Sequence, residues 1–280
     1  MATITDSTPH LPGEALESSR MPGHWLLARL GKRVLRPGGV ELTSKVLADL
    51  RVSRGDDVVE VAPGLGATTR LILESAPASY TGVDRDPAAA DLVEAMLAGP
   101  NRRVVQASAA DTGLADASAD VVTGEAYLTM QPDSLKNKIL ADLSRVLRPG
   151  GRFGLHEIAF TPAEITQGER DQVAASLSSS IHVNVSPLTI REWTDLLADY
   201  DLVVEHQHTA PLHLLEPRRL FADEGIVGAL RFVRNVLRDR EARARVVAMR
   251  RAMRSNSDHL QAVALVATKR PSGERPGQAG

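Results

Sequence analysis

The sequence predicts an α/β fold, in which a mostly parallel β-sheet carries helices on both of its faces. Short apolar runs rich in β-branched residues alternate with helical patterns along the chain, for example at residues 58–61 and 121–122. Such runs are typical of strands buried on both faces, and their alternation with helices is typical of βαβ units. The 280 residues, 43% of them hydrophobic, are enough for one large domain with insertions.

A strand–turn–helix unit over residues 57–70 is the most informative stretch. Gly64 and Gly66 interrupt the strand, and a helical pattern begins near Thr68. The glycines let the backbone approach a ligand, and the start of the helix offers unpaired N–H groups. Asp84 ends the second strand, about 20 positions after Gly64, which is the spacing at which an acid meets the ribose diol of a bound nucleotide.

The predicted domain covers residues 21–270. Residues 1–20 are rich in Ser, Thr, Pro and Gly and lack periodicity, so we predict a disordered leader there, and the Pro/Gly-rich residues 271–280 predict a disordered tail. Helical patterns from Trp25 and over residues 41–50 precede the first strand.

The later elements continue the alternation of strands and helices. Asp86 and Pro87 predict the cap and first turn of a helix over residues 88–97. Thr189 and Glu192 have the spacing of a capping box at the start of another helix. Seven strands are predicted, at residues 58–61, 80–83, 103–106, 121–122, 153–160, 201–207 and 259–269.

Composition excludes several classes of function. The net charge of −2 selects neither nucleic acid nor a membrane, and an aromatic content of 3% argues against a stacking platform for single-stranded nucleic acid. The chain has no cysteine, which excludes disulfides, thiolate nucleophiles and thiolate metal ligands. No apolar run reaches membrane-spanning length and no apolar signal core is present, so we expect a cytoplasmic protein without a membrane span.

The central unit resembles motif I of the class I S-adenosyl-L-methionine (SAM)-dependent methyltransferases. The acid and the three glycine positions of that motif are occupied here by Glu60, Ala62, Gly64 and Gly66. Residues 108–122 resemble the family's acidic loop and fourth strand, and residues 147–152 resemble its turn into the fifth strand. The similarity is greatest to the small-molecule type that includes the ubiquinone and menaquinone methyltransferases. It implies a Rossmann-like, doubly wound, seven-stranded sheet, parallel except for an antiparallel strand near the C-terminus, inserted between strands five and six.

The resemblance also implies SAM as cofactor and S-adenosyl-L-homocysteine as product. In many members of the family, leading helices like those before the first strand close over the cofactor, and packing on the sheet edge is the alternative here. Ser108 stands where an aspartate is usual beside the adenine, and Ala119 where an aromatic is usual. The cofactor contacts implied by the resemblance are Glu60, Ala62, Pro63, Gly64, Gly66, Asp84, Arg85, Ser108, Ala109 and Glu125.

Two polar residues in the fifth predicted strand are candidates for catalysis. His156 and Glu157 interrupt the apolar run of residues 153–160, and a buried strand carries such residues only with partners. We predict His156 as a base, Glu157 as the residue that orients it or exchanges roles with it, and Tyr127 as a lining residue. Because adjacent residues of a strand point to opposite faces, both reach one pocket only where the strand has ended. A structural pair bound to neighbouring loops is the alternative.

Two helical insertions are expected, at about residues 161–188 and 216–255. Residues 216–254 carry eleven arginines against five acids. The first interpretation is a solvated helical face that pairs with acids elsewhere, and the second is a basic lid over the active site. A helical hairpin at this place in the chain is also a common element of homodimers.

Three histidines near the sixth strand raise the question of a metal. His206 and His208 share a strand face and His213 follows them. Loop and rim histidines are favoured over zinc ligands, because no cysteine or carboxylate completes the set in the sequence. No metal site is predicted.

The predicted reaction is in-line transfer of the methyl group of SAM to a small-molecule acceptor, with the nucleophilic atom left open among O, C, N and S. Three alternatives stay open. One is an NAD-type oxidoreductase that uses Ala62, Gly64 and Ala67 as its glycine motif. The others are a nucleic-acid methyltransferase that uses the arginine-rich helices and a non-catalytic SAM-binding protein.

Overall fold

The computed structural model describes residues 11–13, 16–212 and 214–271. Its strands are β1 (Asp57–Val61), β2 (Ser79–Asp84), β3 (Arg102–Gln106), β4 (Ala119–Glu125), β5 (Leu147–Phe160), β6 (Leu188–Thr189), β7 (Leu202–Pro211) and β8 (Leu260–Lys269). Its helices are α1 (Gly23–Arg29), α2 (Gly39–Leu50), α3 (Ala67–Glu74), α4 (Pro87–Glu94), α5 (Asp133–Val146), α6 (Gln167–Ile181), α7 (Ile190–Ala198), α8 (Pro217–Arg238) and α9 (Arg240–Ser255).

The strands form one sheet whose main path has the order β3-β2-β1-β4-β5-β8-β7. All pairs from β3 to β5 are parallel. β8 lies between β5 and β7 and is antiparallel to both, so that Ala264 faces His156 on one side and His208 on the other. The predicted doubly wound α/β sheet is confirmed, including the antiparallel strand inserted near the C-terminus.

The predicted number of seven strands is too low by one. The additional strand, β6, has only two residues and pairs in parallel with Ala159 and Phe160 at the end of β5. Two residues are too few for an alternating pattern to be visible in a sequence. Thr189 of this strand also caps α7, where it and Glu192 form the predicted capping box.

Helices cover both faces of the sheet, which is why most residues of its central strands are buried. α5 and α7 pack on one face and α2, α3 and α4 pack on the other. Each large aliphatic side chain buried in this way contributes about 1.5–3 kcal/mol to folding. The helix residues that contact the strands include Leu140, Leu143 and Trp193 on the first face, and Leu42, Val46 and Ile72 on the second.

Both predicted insertions are helical. The first contains α6, and the second contains the hairpin of α8 and α9. α8 is not continuous, because Gly225 has φ 67° and ψ 175° and divides it into two parts. Leu26 of α1 and Phe232 of α8 belong to one apolar cluster, which also includes Met249 of α9. The hairpin therefore packs on the N-terminal helix.

The chain is anchored before the end of the predicted leader, residues 1–20. Ser18 is buried, its hydroxyl donates a hydrogen bond to Asp239 at 2.9 Å, and Arg245 donates one to its carbonyl at 2.7 Å. These partners lie more than 200 residues away, so the polar composition of the leader did not reveal them.

None of the described helices is long and apolar enough to cross a membrane. Residues 1–10, 14–15, 213 and 272–280, which include most of the predicted tail, lie outside the described residues.

Candidate active site

A cavity of about 420 Å³ lies at the carboxyl ends of the central parallel strands. Its walls include Asp84 at the end of β2, Glu125 at the end of β4, and Glu157 in β5. Trp25 of α1 and Met249 of α9 also line it. Open α/β sheets bind their ligands at this edge, so topology alone makes this cavity the candidate site.

A sharp bend of the backbone between β1 and α3, residues 62–66 and here called the glycine bend, forms one wall of the cavity. Gly64 has φ 55° and Gly66 has φ 68°, in the left-handed region that favours glycine. A Cβ at Gly66 would lie 2.6 Å from Sδ of Met96, so a side chain there would require the end of Met96 to move. Ala62 has a positive φ of 52°, although it carries a side chain. Pro63 and Gly64 line the cavity, whereas Gly66 lies behind them as the cap of α3.

Asp84 lies directly beside the glycine bend. Its Oδ2 accepts a hydrogen bond from the backbone N–H of Gly64 at 3.2 Å, and its Oδ1 accepts one from that of Asp86 at 3.0 Å. Burial raises the pKa of Asp84, and the two backbone N–H groups oppose this. The structure thus brings together the acid and the bend that the sequence predicts to act together. Arg85, Ser108 and Ala109 line the same part of the cavity.

Glu60 reaches the cavity but is largely engaged in the core. Its Oε2 accepts hydrogen bonds from the hydroxyls of Thr69 at 2.7 Å and Tyr80 at 2.6 Å. Burial raises the pKa of Glu60 to about 7, although these hydroxyls oppose the rise. Glu60 therefore joins β1 to α3 and β2, in addition to its place in the cavity wall.

Glu125 is the centre of a charged network. Its carboxylate lies 3.1 Å from Nη1 of Arg36 and 2.8 Å from Nδ1 of His156, and accepts a hydrogen bond from Thr43 at 2.6 Å and another from Thr68. Burial alone would raise the pKa of Glu125, but the positive charge of Arg36 and the hydrogen bonds outweigh it and lower the pKa to about 2. Glu125 is therefore ionised at neutral pH.

Sequence reasoning missed Arg36 and Trp25 as site residues. Arg36 lies in the connection between α1 and α2, and in the sequence it reads only as part of a Pro-Gly-Gly helix stop. Trp25 lies over the glycine bend, since its Cη2 is 3.9 Å from the position of a Cβ on Gly64. The buried Arg36 could not be recognised without its partner Glu125, which comes much later in the chain.

His156 does not have the position expected of a base. It is 0% exposed, it is bound to Glu125 through Nδ1, and it is not among the described residues that line the cavity. Its Nε2 is buried without a hydrogen-bond partner among the described residues. The predicted role of His156 as a base therefore stays a prediction, and in this structure the ring contacts Glu125, which lines the cavity, and does not line the cavity itself.

Glu157 points the other way from His156, as the alternation of a strand requires. Its carboxylate accepts hydrogen bonds from the backbone N–H groups of Tyr127 at 2.8 Å, Leu128 at 2.6 Å and Thr129 at 3.1 Å, and from the Thr129 hydroxyl at 2.6 Å. Burial raises the pKa of Glu157, and these four donors oppose the rise. Glu157 therefore holds the segment after β4, and it does not orient His156.

Tyr127 lines the cavity at the start of this segment. Its hydroxyl is buried and has no hydrogen-bond partner among the described residues. Burial raises the pKa of Tyr127 well above its usual value, with a further contribution from the charge of Glu157. The phenol consequently stays protonated and keeps a donor hydrogen that has no described acceptor.

The wall of the cavity beyond the end of β5 is apolar. Its side chains come from several separate elements and belong to one hydrophobic cluster. This apolar wall consists of Met130, Ile158, Ile181, Val185, Leu212 and Met253. The cavity is therefore polar and charged beside β1, β2 and β4, and apolar beside α6 and α9.

The histidines of β7 lie elsewhere. Nε2 of His208 is 2.6 Å from Oδ2 of Asp49 in α2, and Nδ1 of His206 is 3.9 Å from its Oδ1. A carboxylate thus accompanies these histidines, contrary to the sequence interpretation, but within the described residues no group of three side chains is arranged to hold a metal ion. His213 lies outside the described residues.

The chain is similar to methyltransferases in sequence and in fold. A family described as "Methyltransferase domain" matches residues 58–151. An uncharacterised protein of Haemophilus influenzae is 31% identical over 220 residues, which are 77% of this chain and 86% of that protein. Phosphoethanolamine N-methyltransferase 2 of Haemonchus contortus, solved with phosphomonomethylethanolamine and S-adenosylhomocysteine, has a TM-score of 0.67 at 12% identity, over 89% of this chain and 58% of that chain. A geranyl diphosphate methyltransferase, solved with GPP and sinefungin, has a TM-score of 0.59 at 18% identity, over 82% of this chain and 77% of that chain.

Proposed function

This chain belongs to the class I SAM-dependent methyltransferases, and from that premise we propose that it methylates a small, largely apolar acceptor by in-line displacement. Its cofactor is SAM and the product is S-adenosyl-L-homocysteine. The observation that supports the acceptor class is the division of one cavity into a polar part at the glycine bend and an apolar wall. The NAD-type oxidoreductase alternative is set aside by the family membership.

The polar part of the cavity fits the nucleoside of SAM. We assign Asp84 to the ribose hydroxyls, because its carboxylate is held by two backbone N–H groups and keeps further acceptor capacity. The bend at Gly64 offers open space to a ligand, since a Cβ there would meet no heavy atom closer than 3.9 Å. Ser108 and Ala109 border the same space and are assigned to the adenine.

The pair of Arg36 and Glu125 is assigned to the amino-acid part of SAM. Both residues line the cavity, and they carry the two signs of charge that the carboxylate and ammonium of an amino acid require. Glu125 stays ionised because Arg36 and His156 hold its pKa low despite burial. In this assignment His156 positions Glu125 and does not touch the acceptor.

When bound, SAM supplies an electrophilic sulfonium methyl group, so the protein does not have to create a leaving group. The residues around the cavity have to orient two reactants and exclude water. Correct placement of two bound reactants can lower a barrier by about 7–11 kcal/mol. Trp25 of α1 and Met249 of α9 support this role, because both line the cavity although neither helix belongs to the sheet.

The apolar wall is assigned to the acceptor, with Tyr127 as its polar contact. The hydroxyl of Tyr127 has no partner among the described residues and is protonated, so it is available to donate to a polar atom of the acceptor. Glu157 is not assigned as a base, because its oxygens already accept four hydrogen bonds. Neither His156 nor Glu157 is therefore assigned as a base.

A small acceptor is favoured over nucleic acid by the walls of the cavity. A volume of about 420 Å³, with residues of α1 and α9 in its walls, suits a drug-sized molecule. The two similar structures described above were solved with phosphomonomethylethanolamine or with GPP, which are small molecules. A cytoplasmic location remains part of the proposal.

The test is transfer of radioactive methyl groups from labelled SAM to two sets of acceptors. One set contains small apolar molecules with hydroxyl, amine, thiol or acidic C–H groups, and the other contains transfer and ribosomal RNA. We expect label in molecules that an organic solvent extracts and none in RNA. Label in RNA would overturn the proposal. SAM binding without transfer to any acceptor in either set would indicate the non-catalytic alternative.

A further inference from the structure

The second part of α8, after Gly225, presents an apolar stripe to solvent. The stripe residues follow each other at intervals of four, three and four positions, which places them on one face of the helix. They are between 43% and 71% exposed, and they are Ile226, Leu230, Val233 and Leu237. Val227, beside the stripe, is 72% exposed. Isolated exposed apolar residues are ordinary, but a continuous stripe of this kind indicates a contact surface.

The stripe is accompanied by positive charge. Arg234 and Arg238 each follow a stripe residue by one position, so they lie beside the stripe at the flank of the helix, and Arg231 lies near them. All three are exposed, and within the described part of the chain no acid lies at ion-pair distance from them.

Four of the five acids of the hairpin have described partners away from the stripe, and the fifth, Glu241, is an exposed residue in the first turn of α9. Asp223 and Glu224 are turned inward, each 3.4 Å from the buried Nζ of Lys32. Glu216 pairs with Arg250, and Asp239 caps α9 through the backbone N–H of Ala242. The face that carries the stripe is therefore apolar and basic, although the whole chain has a net charge of −2.

The hairpin that carries the stripe also takes part in the candidate active site. Met249 and Met253 of α9 line the cavity. Glu224, directly before Gly225, accepts hydrogen bonds from the backbone N–H groups of Arg33 at 2.9 Å and Val34 at 3.0 Å, at the start of the segment that contains Arg36. The exposed surface is thus attached to elements that line the cavity.

We propose that this face of α8 docks on the surface of an anionic lipid bilayer. Apolar side chains of a surface helix enter the boundary between headgroups and acyl chains, while arginines bind phosphate oxygens. Basic residues near an anionic surface each add to the attraction.

Charge disfavours a second copy of the chain as the occupant. A two-fold contact through the stripe would bring the arginines of one copy next to those of the other, with no described acid on this face to compensate. An anionic bilayer complements both features of the surface at once. The proposal does not depend on the identity of the methyl acceptor.

The experiment is vesicle flotation of the full-length protein. Vesicles of phosphatidylcholine alone are compared with vesicles of equal parts phosphatidylcholine and phosphatidylglycerol, at low and high salt. We expect the protein to float with the anionic vesicles at low salt, to be released by high salt, and to stay unbound with neutral vesicles.

Two double variants separate the contributions. Leu230→Ser/Leu237→Ser removes part of the stripe. Arg234→Gln/Arg238→Gln removes two charges, and for this variant we expect about 30-fold weaker partitioning into anionic vesicles. Arg54→Gln/Arg103→Gln, which removes two exposed charges far from α8, is the matched control and should float like the wild type. Circular dichroism and SAM binding check that each variant is folded.

Three outcomes would overturn the proposal. One is no flotation of the wild type with anionic vesicles. Another is equal flotation of the wild type and of both α8 variants. The third is a dimer in analytical ultracentrifugation that the Leu230→Ser/Leu237→Ser variant dissociates, in a protein that does not bind vesicles, because the stripe is then covered by a second copy.

Discussion

Asp84 and Gly64, 20 residues apart in the chain, are joined by a hydrogen bond of 3.2 Å between the carboxylate and the backbone N–H. The contact follows from the parallel pairing of β1 with β2, in which Val61 lies opposite Val83. Both strands end at the same edge, so the residues that follow them meet there. With Asp86 holding the second oxygen at 3.0 Å, the carboxylate is oriented before a ligand binds. Such preorganisation lowers the cost of binding.

We predict that Asp84→Ala weakens SAM binding about 10- to 100-fold, which corresponds to the loss of hydrogen bonds between a carboxylate and two ribose hydroxyls. Isothermal titration calorimetry measures the effect directly. Asp91→Ala, which removes an exposed acid of α4, should bind SAM like the wild type. Unchanged affinity in Asp84→Ala would show that the carboxylate does not contact the cofactor.

The contact between Asp84 and Gly64 also shows which parts of the candidate site can be predicted from the sequence. The strand–bend–helix pattern and the spacing to Asp84 predicted which elements meet, because parallel strands have a regular geometry. The alternation of residues in β5 also predicted that His156 and Glu157 face opposite ways. Which of the two faces the cavity could not be predicted, since the partners of Glu157 lie in the segment after β4, about 30 residues earlier in the chain, which has no periodic pattern.

We predict that Gly66→Ala destabilises the fold more than Gly113→Ala does. Both glycines have φ 68°, so both substitutions carry the conformational cost of a side chain in the left-handed region, about 1–2 kcal/mol. Only at Gly66 would the new Cβ also meet Met96, at 2.6 Å from its Sδ, whereas nothing lies within 4 Å of a Cβ at Gly113. Overpacking of this kind adds about 1–3 kcal/mol.

Urea denaturation of the two variants isolates the steric contribution of Met96. A Gly66→Ala/Met96→Ala double variant should recover part of the difference, because the clash involves the flexible end of a side chain. Equal destabilisation of Gly66→Ala and Gly113→Ala would contradict the close packing of Met96 against the glycine bend.

We predict that Tyr127→Phe lowers kcat/KM about 2- to 10-fold once the acceptor is known, and leaves SAM affinity unchanged. The loss corresponds to one hydrogen bond of about 0.5–1.5 kcal/mol to the acceptor. Stability should not fall, because the hydroxyl has no partner among the described residues and the ring still fills its site. Tyr200→Phe, at a phenol that donates to Asn137 outside the cavity, is the control. An unchanged kcat/KM in Tyr127→Phe would remove this contact from the proposed acceptor site.

Glu60 predicts a dependence of stability on pH. Burial raises its pKa to about 7 in the folded protein, despite the hydroxyls of Thr69 and Tyr80, whereas an ordinary glutamate has a pKa near 4.5. Between these values the folded state binds more protons than the unfolded state, so the contribution of Glu60 to stability falls as pH rises from about 4.5 to about 7.

Glu60→Gln, which resembles the protonated form, should remove this fall. The difference in unfolding free energy between Glu60→Gln and wild type should shift in favour of the variant by about 3 kcal/mol between about pH 5 and about pH 8. Urea denaturation at both pH values measures it, with the exposed Glu164→Gln as control. A difference that does not change with pH would mean that Glu60 is already ionised in the folded protein at the lower pH.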